Sequence, residues 1–444
     1  MANIALISLG CAKNQVNAEE MLYLLDEAGH KTVGRPEEAD IAVVNTCGFI
    51  DTAKTEAIDH ILELAALKGP GGLRRIIITG CLSQRYGEEI LNELPEVDAV
   101  LGTGSYYEIV SAVDRVLGGE RVVLFGDIDA PLEERDRIVT DSPGWAYLRI
   151  AEGCDNCCSY CVIPSLRGRF RSRSMESLLR EARRLVDGGV KELILVAQDI
   201  TQYGMDLYEE RRLSHLIRAL ADIPGLTWIR LHYLHPDGID DELIAAIRDT
   251  DQVLRYLDIP IQHINDDILA AMNRRITGGE IRALFKRLRA ALPGLVLRTS
   301  LIAGLPGEGE AELEELAAFL AEFQIERVGV FPYSPQEGTP AERMPNRPDG
   351  EIASRRAEQL MDGQAGVLDR FNQSRIGKED TVLCIGYDED EAMWHGRSYA
   401  ESPEIDGIIW LETEAPLVPG QFYQVRYMGE ENGELIGQIL AEEV

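Results

Sequence analysis

The sequence lacks most of what would place it in a membrane or on a nucleic acid. No run approaches the roughly 18 consecutive apolar residues that a spanning helix needs, and the opening MANIALISLGC has neither a basic segment nor a small-residue cleavage site. Basic residues are scarce: 44 Lys and Arg stand against 76 Asp and Glu, a formal net charge of -32. Affinity for phosphate backbones is built from Lys and Arg, so no stable nucleic-acid binding is expected. Acidity alone also suits a protein that is merely soluble, and where the charge sits matters more than its total. Fixed-period repeats and low-complexity tracts are missing, which excludes solenoids and compositionally disordered chains. What remains is a cytoplasmic, multi-domain globular protein without a membrane segment, its 444 residues enough for about three domains.

Cysteine is present in a telling way. Eight cysteines in a reducing compartment argue for metal or redox chemistry rather than disulfides, and four of them crowd into Cys154 to Cys161. Around them the chain alternates strand and helix. Apolar runs at 4–8, 41–44 and 76–79, with helical patterns at 17–27 and 53–67 between them, predict a parallel α/β sheet. A charged stretch at 131–143 reads as a linker. Candidate strands at 146–151, 193–197, 228–232, 255–259, 296–302 and 327–331 then give six β/α units, an incomplete barrel. Such a barrel would carry its chemistry at the C-terminal strand ends and leave a lateral opening for a large substrate. After a helix at 352–375, short strands at 381–387, 407–411 and 421–427 read as a small antiparallel β-barrel. The predicted domains are 1–135, 140–375 and 376–444.

Just past the strand at 146–151 lies GCDNCCSYC. Read as CxxxCxxC, it takes Cys154, Cys158 and Cys161 as ligands. Three thiolates on a cube of four irons leave one iron open to chelation by an amine and a carboxylate. Two adjoining CxxC pairs could also suggest zinc, but structural zinc sites separate their pairs by about 15 residues. Cys157 is an extra thiol, and adjacent residues such as Cys157 and Cys158 do not readily point at one cluster together. Cys11, Cys47 and Cys81 are far apart in sequence, yet each follows a predicted strand, in SLGC, NTC and TGC. Parallel strands bring such loops to one edge of the sheet, where three thiolates could meet. The alternative is three unrelated buried cysteines. Cys384 lies within an apolar strand and reads as core.

Together these residues resemble the methylthiotransferases, a radical SAM family with an N-terminal cluster domain, a radical SAM domain and a C-terminal TRAM barrel. The chain is most similar to the RimO type, the branch that modifies a ribosomal protein, in SLGCAKNQVNAEEM (8–21), NTCGFIDTAK (45–54), TGCLSQRY (79–86), CVIPSLRGRFRSR (161–173), HYLHPDGI (232–239) and DIPIQHINDDIL (258–269). The position of Cys157 departs from the family pattern. The resemblance implies two 4Fe-4S clusters, one on Cys11, Cys47 and Cys81 and one, binding S-adenosyl-L-methionine, on Cys154, Cys158 and Cys161. It implies methylthiolation at the β-carbon of an aspartate in the twelfth small-subunit ribosomal protein, with an external electron donor. It also implies that S-adenosylmethionine lies near Gln198, in VAQD, and Gly304, in AGLPGEGE, where a plain tight turn is the alternative.

Two other functions compete. A tRNA adenosine methylthiotransferase shares the six cysteines, and a two-cluster electron carrier would need clusters but no substrate. A carrier normally gives every iron a cysteine and needs little scaffold, which neither cysteine set here fits. Arg167, Arg169, Arg171 and Arg173 form a basic run whose default reading is a solvated surface, and His232, His235 and His263 stay unassigned. Residues 377–444 carry sixteen Asp and Glu, including Asp388 to Glu391, Glu430-Glu431 and Glu442-Glu443, against Lys378, Arg397 and Arg426, a net of -13. Such a barrel repels phosphates and is expected to help dock a basic ribosomal protein.

Overall fold

A computed structural model describes residues 1–69, 72–140 and 143–442. Asp141 and Ser142, from the stretch read as a linker, and Glu443, from the last acidic pair, lie outside the described residues. The chain forms two compact units, one built from residues 1–140, 149–173 and 334–342, the other from the remaining described residues.

In the first unit six strands, β1 (Asn3–Ser8), β2 (Lys31–Thr32), β3 (Ile41–Thr46), β4 (Arg75–Gly80), β5 (Ala99–Leu101) and β6 (Val122–Leu124), form a sheet in the order β2-β1-β3-β4-β5-β6. All five pairings are parallel. The period of two explains why β3 and β4 read as unbroken apolar runs. Ile41, Val43 and Ile77 enter one hydrophobic cluster with Met21, Leu25 and Val113. Ala42, Val44, Ile76 and Ile78 enter another with Ala57, Ile61 and Leu64. Both faces are therefore covered by helices, α1 (Ala12–Glu27) contributing to the first cluster and α2 (Asp51–Ala66) to the second. Strand order reverses between β1 and β3, the switch point at which open α/β sheets leave a crevice at their C-terminal edge.

The charged stretch read as a linker packs along this unit as far as it is described. Arg137 forms an ion pair with Glu19, both side chains 3% exposed. Arg135 stacks 4.5 Å from the Tyr107 ring centroid, and the Ile138 amide donates to the Glu19 carbonyl at 3.2 Å. Arg137 thus has a buried partner, while Glu133, Glu134 and Asp136 stay exposed.

The second unit contains a six-stranded sheet in the order β14-β13-β12-β11-β10-β7, from β7 (Trp145–Arg149), β10 (Glu192–Val196), β11 (Trp228–Leu231), β12 (Val253–Asp258), β13 (Val296–Ala303) and β14 (Arg327–Pro332). These are the six sequence-predicted strands, each within about two residues. A short two-stranded ladder, β8 (Ala151–Glu152) with β9 (Arg171–Ser172), belongs to the first unit. The C-terminal strands β15 (Glu379–Asp388), β16 (Met393–Arg397), β17 (Ile409–Glu412), β18 (Phe422–Glu431) and β19 (Glu434–Glu442) close into a barrel. It is antiparallel except for β17 against β19, which run parallel. Cys384 is fully buried in its core, and burial pushes its thiol up to about 12.

Buried ion pairs tie this barrel to the parallel sheet. Glu192 and Arg230, both fully buried, meet at 2.7 Å, and Glu192 also accepts from Arg397 at 2.8 Å. Glu401 accepts from Arg327 at 2.7 Å and Arg375 at 2.5 Å. The loop between β16 and β17 then runs along the sheet interior: Tyr399 and Ser398 carbonyls accept from Arg230. Ser402 meets His232 at 2.8 Å, Glu404 accepts from Tyr147, and Asp406 accepts from Tyr256.

Burial alone would raise the Glu401 carboxyl, but Arg375, Arg327 and Ser398 outweigh it and hold the value at about 2. A depressed value contributes stability that is present above the ordinary value of 4.5 and is lost as pH falls toward 2. Glu401→Gln should therefore lower stability at pH 7 by about 3 kcal/mol, because two buried guanidinium groups lose their counter-charge. The variant should also lose the extra acid sensitivity between pH 4.5 and 2. Urea midpoints measured across pH test this, and a midpoint unchanged at pH 7 would contradict it.

Candidate metal centres and their surroundings

Three loops at the C-terminal edge of the first sheet carry Cys11, Cys47 and Cys81. Cys11 caps α1, its carbonyl accepting from the Asn14 and Gln15 amides at 2.8 and 3.1 Å. Cys81 opens the short helix α3 (Cys81–Tyr86) directly after β4. Glycines allow the loops to touch. A side chain on Gly10, at φ +106°, would place its Cβ 2.9 Å from the Cys47 Cβ, and one on Gly48 would meet the Leu82 nitrogen at 2.7 Å and the Cys81 carbonyl carbon at 2.9 Å. Asn14 fastens the same loops by donating to the Leu9 and Thr46 carbonyls at 2.9 and 3.0 Å. Cys47 is pushed up to about 11 by burial and by the charges of Cys81 and Cys11. Burial raises Cys81 too. At Cys11, which is exposed, Lys13 and Arg167 and the Asn14 and Lys13 amides outweigh desolvation by neighbouring groups, so its thiol is lowered.

The second group sits in a loop closed by the β8–β9 ladder. Gly153, at φ +82°, lies so near the Arg169 carbonyl that a Cβ would come within 2.0 Å of it. The Cys154 amide donates to the Gly168 carbonyl at 3.1 Å and the Cys161 amide to the Cys158 carbonyl at 3.0 Å. Cys161 is raised by burial and by Cys158, Cys154 and Cys157, so the other three thiols lie within electrostatic reach of it. Cys157 is the exposed member, on left-handed backbone at φ +51°.

Both groups belong to one unit, and side chains join them. The helix Ile163–Arg167, two residues after Cys161, puts Val162 and Leu166 into a small apolar cluster with Cys81 and Phe49. Arg167, 4% exposed, donates from Nε to the Cys81 sulfur at 3.4 Å and from Nη1 to Asn17 and Glu152 at 3.0 and 3.2 Å. Residues 334–342 complete the unit. Arg85 donates to the Gly48 carbonyl at 3.1 Å and to Gln336 at 2.7 Å, and the Ala341 amide donates to the Ser159 carbonyl at 2.9 Å.

This donor set suits a distributed iron-sulfur cluster. Cys11, Cys47 and Cys81 in one group and Cys154, Cys158 and Cys161 in the other are free thiols, the donor type that iron-sulfur clusters take. One tetrahedral ion gathers its thiolates within about 4 Å of each other, given metal–sulfur bonds of about 2.3 Å. A cube of four irons takes each thiolate on a different iron and so accepts them farther apart.

Other singled-out residues fall elsewhere. Gln198 follows β10, and Gly304 follows β13 at φ +83°. The Gly304 amide donates to both Glu308 carboxylate oxygens at 2.9 Å, and a Cβ there would lie 2.4 Å from that of Ala353. Glu308 in turn pairs with Arg356 at 3.1 Å, with His263 3.5 Å away. His232 meets Ser402, and His235 meets Asp237. Among the four arginines, the solvated reading holds for Arg169 only: Arg167 and Arg173 are buried and Arg171 is half-buried.

Family comparisons agree with this layout. Residues 3–102 match the uncharacterized protein family UPF0004, residues 148–320 the Radical SAM superfamily and residues 376–440 the TRAM domain. A ribosomal protein uS12 methylthiotransferase RimO from Thermoanaerobacter sp. (strain X514) is 43% identical over 439 residues, covering 99% of this chain and 100% of the relative. The protein of the same name from Geobacter sulfurreducens is 47% identical, covering 99% of this chain and 98% of the relative. The chain belongs to the ribosomal protein uS12 methylthiotransferase family. It is accordingly a radical SAM methylthiotransferase, and neither the tRNA-modifying nor the electron-carrier alternative is favoured. The fold is shared more widely. The radical S-adenosylmethionine methyltransferase TsrM from Kitasatospora setae, solved with tryptophan and a SAM analog, superposes with a TM-score of 0.56 at 13% identity, covering 77% of this chain and 75% of that one.

The loop contacts of this methylthiotransferase give a direct test. Gly48→Ala forces backbone apart between the Cys47 and Cys81 loops and should cost more than about 1 kcal/mol. Gly34→Ala, where nothing lies within 4 Å, serves as control. The Gly48 variant should melt at lower temperature and expose Cys81 to alkylation in the apoprotein, and identical labelling of both variants would contradict the close approach.

Proposed function

We propose that this chain attaches a methylthio group to the β-carbon of an aspartate in ribosomal protein uS12, with one 4Fe-4S cluster on Cys11, Cys47 and Cys81 and another on Cys154, Cys158 and Cys161. The observation that carries the reading is the gathering of these thiols as two groups in one unit, in a chain that matches RimO proteins end to end. One S-adenosylmethionine would supply the methyl group, and a second, bound at the second cluster with an electron from the external donor, would supply the radical chemistry needed at a C–H bond no base could deprotonate. The protein's part is to hold and shield. Three thiolates per group would hold a cluster with one iron free of protein ligands, and at Cys154, Cys158 and Cys161 that iron would take the amine and carboxylate of S-adenosylmethionine. Gln198 and Gly304, at the C-terminal ends of β10 and β13, are assigned to its surroundings. Residues 1–135, 140–375 and 376–444 are assigned as cluster, radical SAM and TRAM domains of a cytoplasmic enzyme fed by an external electron donor. Among the described residues no helix is long and apolar enough to cross a membrane.

Anaerobic reconstitution should load about eight irons per chain, two cubes of four. Replacing Cys154, Cys158 and Cys161 together with Ala should halve the iron and abolish 5'-deoxyadenosine release, while Cys157→Ala should keep both clusters. An unchanged iron content in the triple variant would refute the ligand assignment.

Substrate docking is assigned in part to the acidic barrel. Glu389, Asp390 and Glu391 are exposed in the turn between β15 and β16, and Asp388 braces that turn by accepting from the Asp390 and Glu391 amides at 2.9 Å. A uS12 rich in Lys and Arg would be steered toward them. Replacing Glu389, Asp390 and Glu391 by Lys, with Asp388 kept, should slow association with uS12 roughly tenfold at low salt. Cleavage of S-adenosylmethionine without substrate should be unchanged, and stopped-flow rates equal to the parent would remove the barrel from the docking scheme.

A further inference from the structure

Arg167 belongs by chain position to the loop of Cys154, Cys158 and Cys161, yet its side chain serves the other cysteine group. Its Nε reaches the Cys81 sulfur at 3.4 Å. Nη2 donates to Asn14, and Nη1 donates to Asn17 at 3.0 Å, both residues lying on the helix that Cys11 caps. The same Nη1 donates to Glu152 at 3.2 Å. Glu152 offsets only part of the cation because it is shared with Arg149, also at 3.2 Å. The backbone of Arg167 is fixed as well: its carbonyl accepts from Arg171 at 2.8 Å, and the next carbonyl, of Gly168, accepts from the Cys154 amide. The guanidinium is thus a rigid, buried positive charge that is anchored in one thiol group and applied to the other.

A cation donating to a ligand sulfur withdraws negative charge from a cluster and favours the state with the added electron. We propose that Arg167 is a positioning residue that raises the reduction potential of the cluster on Cys11, Cys47 and Cys81. This rests on the two-cluster reading above. A merely structural arginine would leave the potential where it is, so the potential is the quantity to measure.

The parent for the test is the full chain with Cys154, Cys158 and Cys161 replaced by Ala, so that one cluster alone gives the signal. After anaerobic reconstitution, iron is counted and the cluster is titrated with electron paramagnetic resonance as readout. With Arg167→Met added, about four irons should remain. At the parent's midpoint the ratio of reduced to oxidised cluster should fall about tenfold, a lowering of about 59 mV for a one-electron couple. Arg167→Lys, which keeps the cation, should stay close to the parent. If Met at 167 costs the cluster its iron, Arg167→Gln carries the same measurement without charge. Equal potentials in the parent and the uncharged variant would overturn the inference, as would equal shifts in the Lys and uncharged variants. A parent that binds no iron would overturn the two-cluster reading itself, and the inference with it.

Discussion

The first unit depends on one buried guanidinium. Arg167 is surrounded by acceptors from separate parts of the chain: Asn14 and Asn17 on α1, Glu152 on β8 and the sulfur of Cys81. An isolated buried cation would carry a large desolvation penalty, so its partners must all be in place together. A requirement of that kind makes the position of each loop conditional on the others. The three glycines that let neighbouring loops approach closely around the cysteines, Gly10, Gly48 and Gly153, add a steric condition to the electrostatic one. Neither condition is satisfied by any single segment.

The second unit is organised on a similar principle with different chemistry. Glu192 and Glu401 each gather two arginines in positions closed to water. The loop between β16 and β17 supplies carbonyls, a serine and two carboxylates to residues that line the parallel sheet. Breaking one member of such a network leaves its partners buried and uncompensated, which is why these contacts fix geometry more firmly than exposed ion pairs do.

Much of this was legible in the sequence. The strands that precede Cys11, Cys47 and Cys81 betray themselves by apolar runs, and in β3 burial on two faces leaves no room for polar alternation. Cys11, Cys47 and Cys81 could be grouped because each follows such a run, and parallel strands end at a common edge. Less was legible where side chains pair over long separations. Arg137 and Arg167 have the local look of solvated charges, and only their distant partners, Glu19 in one case and Asn14, Asn17 and Cys81 in the other, reveal why they are buried. The same holds for Gly304, whose amide has its partner in Glu308 and whose missing side chain is explained by Ala353 on a helix far along the chain. The parallel pairing of β17 with β19 is likewise a matter of topology that strand patterns do not carry.

The first unit is assembled from three stretches of chain, the last of them ending at Glu342. Ribosomes release a chain from its N-terminus onward, so the sheet of β1 to β6 emerges long before Arg167, and Gln336 emerges later still. Until Arg167 emerges, Cys11, Cys47 and Cys81 have their sheet but not their arginine, and for most of the interval that follows they still lack the segment that Arg85 grips. Completion of the surroundings of these cysteines is therefore tied to synthesis of roughly three quarters of the polypeptide, and a nascent chain stalled earlier would display bare thiols to whatever oxidants or adventitious ions it met.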